Sequence, residues 1–398
     1  MGNAGQVSRR RSGWRVLLAG LVGLLAVPLG ATEGVNMIGS GPVQESLAGA
    51  GAAHPVDSTW VLLNPAALTV LPRQLSLSYE VFAPDRSLDS SQAPAGNPAG
   101  RTSDHAVFYI PALSASLGEW QGIHWGLGLF GTSGMGVDYS QARIPGMGGD
   151  TRSEYSVAKL FLAGAVDLGD GWSVGAGPVL VMSRMRTDMV HSTGVSSDAW
   201  DTSLGAGLSL GVYKTWDRWR FGVAYLTEQF QQEWDEYESL MRDPLNLPPQ
   251  LQIGVAYDVT ERVTLLLDYR LVHWEAVPQW SDDPNDGGFG WSDQHIAKIG
   301  VEWRATERLT WRGGLSHGNS PIDESAVFAN GLFPAIMETH AALGVSYQVS
   351  ACLDLHATIT HAFHESLTDD GSQLGGMGRG TSISMHQSTV NLGLGWRF

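Results

Sequence analysis

Apolar and polar positions alternate with a period of two along most of this chain. In "STVNLGLGWRF", Val390, Leu392, Leu394, Trp396 and Phe398 share one parity, while Thr389, Asn391, Gly393, Gly395 and Arg397 share the other. Successive side chains of a strand point to opposite faces, so this stretch is a strand with one oily face. "VTLLLDYRLVHW" repeats the pattern, with Val263, Leu265, Leu267, Tyr269 and Leu271 on one side and Thr264, Asp268 and Arg270 on the other.

Segments of this kind, bounded by turn residues, predict fourteen strands near 74–82, 104–117, 123–132, 153–167, 172–187, 202–216, 219–230, 249–258, 263–274, 293–304, 309–316, 337–348, 351–361 and 384–398. Short connections such as "GEWQG", "LGDG" and "VTER" alternate strictly with long polar segments near 83–103, 133–152, 188–201, 231–248, 275–292, 317–336 and 362–383. Short turns at one end and long loops at the other predict a transmembrane antiparallel β-barrel of 14 strands. A soluble sandwich or propeller has no reason to segregate its loops in this way.

Aromatic residues give a second, independent sign. Trp125, Trp172, Trp219 and Trp311 begin strands just after short turns, and Tyr257, Trp303, Tyr347 and Trp396 end strands just before one or at the last strand's end. All take the apolar parity, as an aromatic girdle at the periplasmic interface requires. Phe398 resembles the terminal aromatic assembly signal of outer-membrane barrels.

The first 31 residues have the layout of a secretory signal peptide. Arg9, Arg10, Arg11 and Arg15 accompany the run "VLLAGLVGLLAVPLG" and a small residue at Ala31. That run falls short of the roughly 20 residues of a spanning helix. The bacterial outer membrane is therefore the expected location, with membrane lipid and lipopolysaccharide as surroundings.

Composition narrows the functions. A net charge of -16 argues against nucleic acid as a partner. The single cysteine, Cys352, leaves no internal disulfide framework. Of two G-x-S-x-G matches, Gly207–Gly211 lies inside a strand and Gly314–Gly318 runs into a loop, neither at a strand–turn–helix elbow, so no enzyme is expected. "DPNDGG" from Asp283 lacks the twelfth-position glutamate of a calcium loop, because Gln294 stands there, and His361 with His364 has no further ligand at metal spacing. No cofactor and no metal site are expected.

Residues 32–73 do not alternate. A fourteen-stranded barrel encloses a lumen wide enough to hold them, so the segment reads as an N-terminal plug and residues 74–398 as the barrel; a periplasmic tail is the alternative. In this segment "SLAGAGAA", then Asp57-Ser58-Thr59, then "LLNPAAL" resemble the hatch of FadL-type outer-membrane transporters of long-chain fatty acids and hydrocarbons. The family's Asn-Pro-Ala signature falls on Asn64, Pro65 and Ala66. "FYIPALSASLG" and "GLGLFGTSGMGVDYS" resemble its second and third strands. The family often carries an arginine before the small-residue stretch, where this chain has Glu45 and Ser46.

The resemblance implies uptake of a hydrophobic small molecule by loop capture, luminal binding and lateral release through a kinked strand, in a barrel that suffices as a monomer. Long-chain fatty acid is the first expectation; an aromatic hydrocarbon, or a general porin or structural barrel, is the alternative. Gly131, Gly134 and Gly136 are candidates for the kink, or else an ordinary loop start. Trp234, Tyr237, Leu240, Met241, Leu245 and Leu247 are candidates for an apolar capture surface, or else for packing on the barrel rim. By parity, Arg270, Lys298 and Arg304 are candidate contacts for a carboxylate headgroup, or else pair with luminal acids such as Asp268, Glu302 and Asp354.

Overall fold

The computed structural model describes residues 33–90, 101–140, 152–188, 190–191, 194–195, 199–238, 241 and 243–398. Residues 1–31, which carry the signal-peptide pattern, lie outside them.

Fourteen strands close into one antiparallel barrel: β1 Gln74–Asp89, β2 in two pieces, Arg101–His105 and Phe108–Trp120, β3 Ile123–Asp138, β4 Arg152–Gly169, β5 Trp172–Thr187, β6 Asp201–Trp216, β7 Trp219–Leu226 with a short continuation at Phe230–Gln231, β8 Gln250–Thr260, β9 Val263–Val272, β10 Gln294–Arg304, β11 Leu309–Gly318, β12 Thr339–Gln348, β13 Leu353–Thr368 and β14 Ser382–Arg397. Sequence neighbours pair throughout. β1 then pairs β14 in a sixteen-residue register, from Gln74 against Arg397 to Asp89 against Ser382, and so closes the sheet. No helix among the described residues is long and apolar enough to cross a membrane.

Burial along each strand is inverted relative to a soluble protein. In β1 the buried parity is Gln74, Ser76, Ser78 and Glu80, while Leu77 and Tyr79 are exposed. Leu267, Leu343, Ile359 and Leu392 are likewise at least half exposed. Apolar surface turned outward this consistently is stable only against lipid. The girdle residues Trp172, Trp219, Trp303, Trp311, Tyr347 and Trp396 all face outward, joined by Trp120 and Trp216.

At this end the strands turn tightly. Gln121 and Gly122 take φ of 54° and 81°, and Asp170 and Gly171 take 51° and 76°. That is the left-handed pair that matches the right-handed twist of a hairpin.

β1 and β13 run on to Asp89 and Thr368, beyond the bounds near 82 and 361 that alternation predicts. In these extensions the outward parity turns polar, as at Asp85, Ser87 and Asp89 of β1, and the pattern fades.

Residues 33–73 pack inside the barrel as two short helices, α1 Pro42–Ser46 and α2 Trp60–Leu63, followed by a 3-10 turn at Pro65–Thr69. The turn lies against β2 to β6, and α1 against β11 to β14.

A charge placed at mid-height on the outer wall tests the membrane assignment. Leu267→Arg should lower the folding free energy in bilayers by about 2–4 kcal/mol, and Val349→Arg, outward-facing at a short turn, by about 1 kcal/mol or less. Urea titration of tryptophan fluorescence in liposomes reads both; equal costs would refute the assignment.

Candidate functional site

The plug is tied to the wall by a few polar groups and by glycines that let backbones touch. Asn64 is fully buried. Its side-chain oxygen accepts from Ala66 N at 3.1 Å, and its Nδ2 donates to Ala52 O at 2.9 Å and to Val212 O of β6 at 3.1 Å. One side chain thus caps the 3-10 turn and joins two stretches of plug to the wall. Pro65 follows at the first helical position, where its missing N–H costs nothing. A Cβ at Gly175 would lie 2.5 Å from Pro65 C, and one at Gly211 would lie 2.2 Å from Asn64 Oδ1. The Asn-Pro-Ala turn therefore seats where the wall has no side chains.

Further along, Asp268 Oδ2 accepts from Gly51 N at 3.1 Å, Ala52 N at 2.9 Å and Gln252 Nε2 at 2.8 Å.

The three basic candidates have separate fates. Arg270 Nη1 donates to Glu33 at 2.7 Å, and Lys298 Nζ bonds the same carboxylate. Ser316 Oγ adds a third donor at 3.1 Å. Burial alone would raise the Glu33 pKa, but Lys298 and Arg270 outweigh it and hold the carboxyl below the usual range. Lys298 has no exposed surface and also reaches Ala48 O at 3.3 Å. Of the two states expected for it, paired or open to a headgroup, it is in the paired one here, with Glu33 of the plug. Arg304 is half exposed near the short turns, 3.4 Å from Glu302, and does not join the other two.

Arg270 also lines a luminal cavity between plug and wall. Met37, Leu62, Leu63, Phe161 and Leu226 form its apolar part; Lys159, Gln250 and Gln252 are polar. Lys159 on β4, absent from the sequence-based candidates, is 2% exposed and donates to Gln229 Oε1 at 2.8 Å. Among the described residues it has no carboxylate within ion-pair distance.

Beside this cavity the wall is interrupted. The β2–β3 ladder runs from Trp120/Ile123 to Ala112/Phe130 and stops. Beyond it β2 stays with β1 while β3 stays with β4, whose register shifts between Gly131 and Ser133. Gly136 has φ of 152°, and a Cβ there would meet Ser153 O at 2.3 Å.

The freed edge of β3 is satisfied from within. Gly134 N donates to Val35 O at 2.8 Å, and Met37 N to Thr132 O at 2.9 Å. On the facing edge Pro111 has no N–H to satisfy. Above the gap Arg86 reaches Gly136 O and Asp104, the latter at 2.5 Å, in place of ladder bonds. Thr132 lines the luminal cavity, and Gly131 lines a smaller one at the gap with Tyr109, Ile110 and Pro111.

The loop residues differ from the expected exposed surface. Trp234, Tyr237, Met241, Leu245 and Leu247 are at most 8% exposed, and Leu240 lies outside the described residues. They pack inward with aromatic side chains of other loops. Trp234 meets Tyr155 edge-on at 6.4 Å, and Trp280 meets Trp274 at 5.1 Å and Trp291 at 4.6 Å. The indole hydrogens of Trp274, Trp280 and Trp291 find acceptors inside, as from Trp280 Nε1 to Asn246 O at 2.8 Å. The richness of segment 274–291 in tryptophan was the available signal for this apolar cap.

Comparison with known proteins agrees with this architecture. The profile of the family described as outer membrane protein transport protein (OMPP1/FadL/TodX) matches residues 35–398. The fold is similar to the toluene transporter TodX of Pseudomonas putida, with TM-score 0.72 at 16% identity over 91% of this chain and 99% of that one. It is also similar to a FadL homologue of Pseudomonas aeruginosa (TM-score 0.66, 14% identity, 92% and 100% covered) and to the toluene transporter TbuX of Ralstonia pickettii (0.63, 17%, 91% and 99%). No curated protein matches the sequence.

Asn64→Ala removes three hydrogen bonds and leaves buried backbone groups unpaired, at a cost of about 1–3 kcal/mol per stranded group. We expect faster protease cleavage within residues 33–73 while the barrel stays intact. Unchanged cleavage would show that the side chain does not hold the plug.

Proposed function

The chain belongs to the outer membrane protein transport family (OMPP1/FadL/TodX) and is an outer-membrane channel for hydrophobic molecules; on that premise we propose that its cargo is a long-chain fatty acid. The observation that carries the choice is the luminal cavity, in which an apolar wall of Leu62, Leu63, Phe161 and Leu226 stands beside the amine of Lys159. A buried amine without a carboxylate is costly unless an anionic group meets it, and a fatty acid brings both that group and a chain for the apolar wall.

On this reading the acid partitions into the apolar cap that includes Trp234, Tyr237, Met241, Leu245 and Leu247. It rests in the cavity with its carboxylate toward Lys159 and Arg270. It leaves sideways where Gly131, Gly134 and Gly136 part β3 from β2. Water contact with the chain is avoided at each stage, and one barrel holds the whole route, so a monomer suffices.

A second reading, uptake of a monoaromatic hydrocarbon, is favoured by the fold neighbours TodX and TbuX, both described as toluene transporters. Such a molecule has no use for Lys159.

Lys159→Met separates the two. Losing a buried charge partner costs about 2 kcal/mol or more, which is about thirtyfold in affinity. Uptake of labelled oleate by cells carrying the variant should fall accordingly, while toluene uptake stays unchanged. An equal loss for both, or no loss for oleate, would reject the fatty-acid reading.

A further inference from the structure

Where α1 of the plug faces the seam between β1 and β14, a second, small cavity is lined by Glu45, Glu80, His340, Thr360, Gln387 and Thr389, with Met37, Ile38 and Ala362 beside them. Glu45 is 1% exposed and Glu80 3%. Their carboxyl groups lie within hydrogen-bonding reach of each other. Among the described residues no basic side chain forms an ion pair with either. Asn391 Nδ2 donates to Glu45 Oε1 at 2.6 Å.

Several polar atoms around the pair have no protein partner. They are Glu45 Oε2, Glu80 Oε1, Thr360 Oγ1, Thr389 Oγ1, Asn391 Oδ1 and both the oxygen and nitrogen of Gln387, whose side chain is 98% buried. Oxygens predominate. Two adjacent carboxylates repel each other unless a proton or a cation stands between them. A shared proton would relieve the repulsion between the two carboxyls but would not draw in the Gln387 oxygen, whereas a cation would gather it and the hydroxyl oxygens around the carboxylates.

We propose that this cavity is a binding site for a single calcium ion, held by Glu45 and Glu80 with the oxygens of Gln387, Thr360 and Thr389. Two carboxylates balance the double charge, and an all-oxygen, irregular ligand set suits Ca²⁺ better than the strict octahedron of Mg²⁺ or the nitrogen and sulfur preference of Zn²⁺. The ion joins α1 to β1, β13 and β14, so it fastens the plug to the seam that closes the barrel. Its ligands come from four separate elements, which is why no spacing in the sequence reveals it. It is independent of the cargo.

The test uses the full chain, purified in detergent, freed of lipopolysaccharide, equilibrated with CaCl₂ and then passed into metal-free buffer for metal analysis. One calcium per chain is expected in the wild type. Glu80→Gln should abolish it. Gln387→Leu keeps both acids and should weaken binding by about tenfold or more, the scale of losing a supporting group. EGTA should speed protease cleavage of residues 33–73 in the wild type, an arm that needs no variant. No bound calcium in the wild type, or equal calcium in both variants, would overturn the proposal. An infrared carboxylic-acid band that is lost in Glu80→Gln, with no metal present, would overturn it in favour of a shared proton.

Discussion

Hydrocarbon offers no hydrogen bonds, so each backbone N–H and C=O of the spanning segments must find a partner within the protein. The β1–β14 seam, sixteen residues deep, is the consequence at the scale of the whole molecule. With the sheet closed, side chains are released to sort by solvent, leucine and tryptophan outward, serine and glutamine inward. The departure at β2 and β3 obeys the same rule. Where β3 leaves β2, residues 35–37 of the plug supply the missing partners, and Pro111 removes a donor from the facing edge.

The plug is consequently more than a stopper. It is held at one end by Glu33 between Arg270 and Lys298, in the middle by Asp268 on the amides of Gly51 and Ala52, and at the other end by Asn64. Wall glycines make these contacts possible, because Gly175, Gly211, Gly222 and Gly314 stand where the plug backbone comes closer than a Cβ allows. Polar side chains fix the plug's position, and glycine sets its distance from the wall.

Much of the fold was legible in the sequence because the bilayer imposes a strict period of two, and because short turns and long loops lie at opposite ends. The Asn-Pro-Ala turn was legible as a motif. Other features were not. Lys159 lies in "EYSVAKLFLAG", where both faces of β4 are apolar and parity offers no contrast. Parity placed Lys298 in the lumen but could not name Glu33 as its partner, since the plug follows no period. The loop tryptophans looked exposed because their burial depends on side chains from several loops meeting above the barrel.

The seam joins β1 to β14, strands separated by the entire barrel sequence, and the plug precedes β1. The plug can therefore be gathered in before these two strands meet, while the sheet is still open beside it. Contacts this distant in sequence form slowly. The long wait for the seam gives the plug an interval in which to find its glycine seats, so the connectivity of the sheet leaves time for the lumen to be filled before it is closed.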